Sequence, residues 1–220
     1  MSFTGFSPQS FEFLLQIAFH NEKSYFEAHR SEYEKLVKEP FKALEMALQP
    51  YILALDERLR VGPMAISRIY RDTRFSKDKS PLRDHVWIDY KPPKTRTSEF
   101  PGMYTCITPV NYSTGFGMYG PNPAIMEPLR QKILANPAGF VKIVENRRLK
   151  KRFTIGGESY KKKRFEHEDK RVEAWLNRKS FYYEYVSSDI ERAMKPEFVD
   201  EVIGDFKLFE PLYRFVHNLD

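Results

Sequence analysis

The chain has 220 residues, 41% hydrophobic and 15% aromatic, enough apolar bulk to fill a core, so global disorder is excluded. Its 36 Lys and Arg against 30 Asp and Glu leave a net charge of +6, which favours anionic partners. The single Cys106 excludes an internal disulfide and a multi-cysteine metal site. No apolar run approaches the roughly 20 residues of a membrane span, and the first residues lack the basic start and apolar stretch of a secretory signal. A cytoplasmic protein with no membrane partner is expected.

Residues 1–60 read as a helical layer. Ser7-Pro8 places a capping residue before a proline tolerated at the first helical position, and Phe11, Leu14, Leu15 and Ala18 follow at helical spacing. Tyr25, Phe26, Tyr33, Leu36 and Val37 continue the period until Pro40, which removes an amide donor and predicts a kink or restart. Phe41, Leu44, Leu48, Tyr51 and Leu55 mark the next apolar stripe, and core packing accounts for all these aromatics.

Residues 61–120 change character. Ile66 to Phe75, His85 to Tyr90, Met103 to Pro109 and Thr114 to Tyr119 are short, rich in β-branched and aromatic residues, and separated by turns. The gaps are too short for helical crossovers, so a mostly antiparallel sheet is expected. In residues 121–220, Asn122-Pro123 and Asn136-Pro137 repeat the cap-then-proline signal, with Pro128 predicting a kink or late start. Arg147 to Phe165 reads as a basic hairpin about Gly156-Gly157, Glu168 to Arg178 as a helix, Phe181 to Val186 as a strand, and Pro196 to Leu219 as a helix broken near Pro211. The whole is a single α+β domain over 1–220: N-terminal helices, a central mostly antiparallel sheet, and further helices after it.

The densest chemistry lies in Ile66 to Arg83, where Arg68, Arg71, Arg74, Lys77, Lys79 and Arg83 accompany only Asp72 and Asp78. On a strand, Arg68, Tyr70, Asp72 and Arg74 would share one face. Guanidinium forks suit phosphate or carboxylate, and the Ser76-Lys-Asp-Lys-Ser-Pro81 turn adds ammonium groups, hydroxyls and backbone amides. The expected partner is an anionic small molecule, with Asp72 and Asp78 orienting the cations or acting as acid or base, and Tyr104, Tyr119 and Arg130 lining the same pocket. The competing reading is a structural or partner-binding protein in which the cluster is a salt-bridge ladder. Ser76 and Ser80 stand beside lysines, but adjacency alone does not make a Ser-Lys nucleophile.

The stretch Arg68-Ile-Tyr-Arg-Asp-Thr-Arg-Phe-Ser-Lys-Asp-Lys-Ser-Pro81 resembles the core of an uncharacterised conserved family, domain of unknown function 2461. The similarity extends to Thr4-Gly5-Phe6, to Asn21, Tyr25 and Phe26, to Gly115 to Pro121 followed by Arg130, and to Arg178-Lys-Ser-Phe-Tyr182. Pro128, before Arg130, departs from the pattern. The resemblance implies a common fold and site and names no reaction.

Gly115-Phe-Gly-Met-Tyr-Gly120 matches the dinucleotide fingerprint only formally, since Pro121 and Pro123 interrupt and the neighbours read as antiparallel. A bending strand with a close partner on its backbone, a ligand over Tyr104 and Tyr119 included, is the better reading. Arg147 to Arg164 carries nine basic residues and one acid. Lys150, Lys151, Arg152, Lys161, Lys162, Lys163 and Arg164, interleaved with Phe153 and Tyr160, offer a non-catalytic, weak nucleic-acid interface as the alternative function, against a solvated basic surface. The five histidines are scattered without ligand spacing, so no metal or cofactor is expected, and Cys106 reads as a buried small hydrophobe.

Overall fold

A computed structural model describes residues 2–74, 77–96 and 99–219. Helix α1 (Pro8–Phe19) opens with a reciprocal capping box: the Ser10 amide donates to Ser7 Oγ at 3.2 Å and the Ser7 amide to Ser10 Oγ at 3.1 Å. Short helices α2 (Lys23–Ala28) and α3 (Arg30–Tyr33) lead into a π-helical turn, Glu34–Lys38, and then α4 (Glu39–Leu55). Pro40 falls where the π turn gives way to α4. There the Glu39 amide reaches back five residues to the Glu34 carbonyl, so the wider pairing accommodates the donor that Pro40 lacks.

Strands β1 (Val86–Tyr90), β2 (Gly102–Ile107), β3 (Tyr112–Met118), β4 (Thr154–Gly156) and β5 (Phe181–Ser187) form an antiparallel sheet in the order β1-β2-β3-β5-β4. Helices α5 (Pro123–Ala135), α6 (Pro137–Val144), α7 (Arg147–Arg152) and α8 (Lys170–Leu176) lie between β3 and β5 in the chain, and α9 (Phe198–His217) ends it. This is the α+β arrangement expected, with helices before and after a central sheet.

Several element expectations are corrected. The strand expected over Ile66 to Phe75 is not regular in its described residues, 66–74, which pair only through isolated bridges, Ile66 with Ile88 and Tyr70 with Leu82. Pro81 has no amide to return, and the Trp87 amide takes the Ser67 hydroxyl at 3.0 Å instead of a carbonyl, so no ladder can propagate. Phe75 and Ser76 lie outside the described residues. The basic stretch is not a hairpin either. Asn146 caps α7, and β4 pairs with β5 in the register Ile155 opposite Tyr183. Finally, α5 runs through Pro128 and α9 through Pro211 without breaking. Both prolines are exposed, as are Ala124 and Lys207 four residues earlier, so the carbonyls left without a donor lie on the solvent side. Pro50 sits inside α4 in the same way, with Met46 exposed.

The chain divides into two compact units: residues 1–90, 104–114 and 186–203, and residues 91–103, 115–185 and 204–220. In the first, Phe6 packs edge-on against Phe41 at 5.0 Å, with Phe3, Phe11 and Phe198 around it, and Tyr112 meets Phe198 at 5.0 Å. The second is centred on Phe209, which contacts Phe153 at 4.2 Å, Phe116 at 5.7 Å and Tyr183 at 5.9 Å. Each such buried ring contributes about 2 to 3 kcal/mol. In β3, Gly117 holds φ +141°, and a Cβ there would collide with the Phe181 carbonyl oxygen and the Tyr182 Cα. The close partner expected at the glycine motif is therefore a neighbouring strand. Cys106 is half-buried on β2, not buried. Among the described residues, no helix is long and apolar enough to cross a membrane.

Candidate functional site

The first unit holds the Arg68 to Arg83 segment against the N-terminal helices. Asn21, between α1 and α2, donates from its amide nitrogen to the Leu82 carbonyl at 3.1 Å and accepts the Leu82 amide at 2.9 Å. The Arg71 amide donates to the Pro81 carbonyl and the Arg83 amide to the Ile69 carbonyl, at 2.9 and 2.8 Å. The side chains alternate as a strand's would: Ile69 is buried, while Arg68, Asp72 and Arg74 are exposed.

The cations of this segment meet different fates. Arg74 forks onto Asp72, two residues back, at 3.0 and 2.7 Å. Arg71 pairs with Asp78 at 3.2 Å, and its buried Nε–H has no acceptor among the described residues. Arg83 donates to the carbonyls of Arg68 and Tyr70 at 2.8 and 2.5 Å and lies over the Trp87 ring at 5.0 Å. Lys79 donates to the Thr73 carbonyl at 2.8 Å. The side chains of Lys77 and Arg68 have neither an ion pair nor a hydrogen bond among the described residues. Burial, followed by the nearby charges of Arg71 and Arg68, pulls the Arg83 pKa down. Arg68 and Arg71 thus both repel Arg83, although Arg71 is itself paired with Asp78.

The acids are spent as anions. The Arg74 fork and amide hold Asp72 near a pKa of about 2, and the Ser80 hydroxyl and amide lower that of Asp78. Both stay ionised at neutral pH, which suits an orienting role better than proton transfer. The Ser80 hydroxyl donates to Asp78 at 2.6 Å, so it is not activated by a lysine.

Beside this segment lies a cleft of about 200 Å³, between residues 26–42 and 63–70. Arg68 lines it with Arg30, Lys38 and Lys42, and Phe26, Tyr33 and Tyr70 supply aromatic walls. At its edge Arg30 forks onto Glu27 at 2.7 and 2.9 Å, and the Tyr70 hydroxyl also donates to Glu27. Lys38 is paired with Glu34 at 2.7 Å. Lys42 has no partner among the described residues. Burial raises the Tyr33 hydroxyl to a pKa of about 12, so it remains a neutral donor. The apolar stripe of their helix does not reveal these lysines. The i,i+4 spacing of Glu34, Lys38 and Lys42 was the available signal for one charged face.

The other predicted site residues sit elsewhere. Arg130 is buried in the second unit and gives its guanidinium to the Leu176 carbonyl at 2.7 Å, the Arg178 carbonyl at 2.6 Å and Glu127 at 2.9 Å. It is spent on the fold. Tyr119, also in the second unit, is half exposed, lies 4.4 Å from the Tyr182 ring and donates to Glu184 at 3.1 Å. Tyr104 is half-buried on β2 in the first unit. Of the basic stretch, Arg152 forks onto Asp205 at 2.8 and 2.9 Å, Lys163 pairs with Glu173 at 2.6 Å, Lys150 with Glu145 at 2.7 Å, and Arg164 covers the Tyr160 ring at 4.1 Å. Lys151, Lys161 and Lys162 are exposed. Among the described residues, no group of three or more His, Cys, Asp or Glu is placed to hold a metal ion.

No curated protein matches the sequence. The Asn21 clasp and the arginine-rich segment fall within residues 9–215, which match the family described as "Conserved hypothetical protein (DUF2461)", and the chain belongs to that family.

Proposed function

We propose that the first unit binds the phosphate or carboxylate group of a small molecule in the cleft between residues 26–42 and 63–70. One observation carries this reading: the side chains of Arg68 and Lys42 line the same cleft, and neither has an ion-pair or hydrogen-bond partner among the described residues. Two solvated cations converging on a concave, partly aromatic wall are positioned for charge-assisted bonds to one anion. Arg71 and Arg83 add positive potential behind Arg68, while Asp72 and Asp78 fix the segment. Within this reading, the chemistry the residues supply is electrostatic stabilisation of a negative group.

Calorimetric titration with inorganic phosphate, pyrophosphate and citrate tests it. Saturable binding is expected for at least one, and Arg68→Ala or Lys42→Ala should each weaken it about tenfold, the usual loss for one hydrogen bond to a charged group. Neither substitution should shift the melting temperature of the protein without ligand, because neither side chain holds anything in the fold. Arg74→Ala should retain affinity, since that guanidinium is committed to Asp72. Absence of saturable binding, or unchanged affinity in the Arg68/Lys42 double variant, would leave the cluster as an ion network only.

A further inference from the structure

A second pocket, of about 440 Å³, opens in the second unit. The β4–β5 register sets Ile155 opposite Tyr183, so both point to one face, and Phe153 and Trp175 complete an apolar floor. On the opposite face the Tyr182 ring lies against Gly156 so closely that a Cβ there would collide with it. The rim is basic, but most of its charge is spent: Lys150 on Glu145 at 2.7 Å, Lys170 on Glu173 at 2.9 Å, and Arg171 on Asp169 at 2.6 Å.

Arg178 differs. Its Nη1 donates to the Gly156 carbonyl at 2.9 Å and its guanidinium carbon sits 5.3 Å from the Trp175 ring, while Nε and Nη2 have no acceptor among the described residues. Tyr183 is 3% exposed, yet its hydroxyl has no hydrogen-bond partner among the described residues either. Burial pushes the Tyr183 hydroxyl pKa up and the Arg178 pKa down, so the pair presents a neutral donor and a cation short of an anion. The Tyr183 hydroxyl and the free Arg178 nitrogens still reach solvent at the pocket, so a carboxylate would replace water there with charge-assisted hydrogen bonds beside an apolar floor.

We propose that this pocket binds a small aromatic carboxylate, its ring on Phe153 and Trp175 and its carboxylate across Arg178 Nε and Nη2 and the Tyr183 hydroxyl. The Arg178 guanidinium, which has no ion pair among the described residues, balances one negative charge in the planar, two-pronged geometry of a carboxylate. The apolar floor demands an apolar body that free phosphate lacks. The inference is independent of the cleft in the first unit.

The test is calorimetric titration of the full chain with 2-naphthoate, beside acetate, which lacks the ring, and 2-naphthylmethanol, which lacks the charge. Saturable naphthoate binding at least about tenfold tighter than either control is expected from the combined apolar and ionic contacts. Tyr183→Phe should weaken it about three- to tenfold, as for one lost hydrogen bond, with the melting temperature unchanged. Arg178→Gln should weaken it further. Because Arg178 also holds the Gly156 carbonyl, that variant is read only if its circular dichroism is native, and Tyr183→Phe decides the matter otherwise. No saturable binding, acetate binding as tightly as naphthoate, displacement by excess inorganic phosphate, or unchanged affinity in Tyr183→Phe would each overturn the proposal.

Discussion

Two regions dense in cations occupy the two units and spend their charge in opposite ways. In the Arg68 to Arg83 segment the partners are local: Arg74 takes Asp72 two residues back, and Arg83 takes carbonyls 13 and 15 residues away. In the second unit, Arg130 reaches carbonyls 46 and 48 residues on, and Arg152 reaches Asp205 across 53 residues. A local, exposed fork organises a turn and leaves positive potential at the surface, whereas a distant, buried one stitches elements together. The same residue type is thus a ligand candidate in one place and a structural tie in the other.

That contrast can be broken by mutation. Arg130→Ala should have the largest effect, destabilising by about 3 to 5 kcal/mol because two buried carbonyls lose a charged donor; urea unfolding with a loss within error would place Arg130 among the local, dispensable cations. Asp205→Asn should cost about 2 kcal/mol, since Arg152 keeps a partner but loses its counter-charge. Unaltered thermal melting of that variant would show that length of reach does not predict structural weight.

A buried acid in the first unit sharpens the comparison. Glu45 is 1% exposed and accepts the Gly62 amide at 2.6 Å, and burial raises its pKa above the ordinary value. The folded state therefore holds this proton more tightly than the unfolded chain. Its stability cost is absent below the ordinary Glu value and grows as pH rises through the raised one. Glu45→Gln should raise the melting temperature at neutral pH and leave it unchanged at acid pH; a shift of equal size at both would trace the effect to packing. Smallest of all, Asp72→Asn should leave the unfolding midpoint where it is, because the carboxylate is exposed and its arginine partner is a neighbour in the chain. A measurable drop would make the first region a structural network as well.

Local signals in the sequence reported the fold faithfully. Ser7, Asn122 and Asn136 cap the helices they were expected to open, because capping involves atoms only two or three residues away. Pro128 and Pro211 misled for the opposite reason. Whether a helical proline breaks its helix depends on whether the orphaned carbonyl faces water, and that is set by tertiary packing. The arginine-rich segment was visible by composition, but its division into spent and unspent cations was not. Tyr70 and Arg83 are drawn in by Glu27, by the backbone and by a segment pinned through Asn21, none of which adjacency in the chain discloses. Lys42 enters the cleft from a helix whose clearest sequence signal is its apolar stripe.

The Asn21 clasp on Leu82 and the Tyr70–Leu82 bridge close the base of the segment between Tyr70 and Leu82. Within it Asp72, Arg74, Lys77, Asp78 and Lys79 are exposed, so these side chains contribute little that packing depends on. Doubling the segment's length would cost only about 0.6 kcal/mol in closure entropy. Drift should therefore erode this stretch as readily as a surface tail. Wherever its charges persist across the family, natural selection must be preserving something other than the ability to fold.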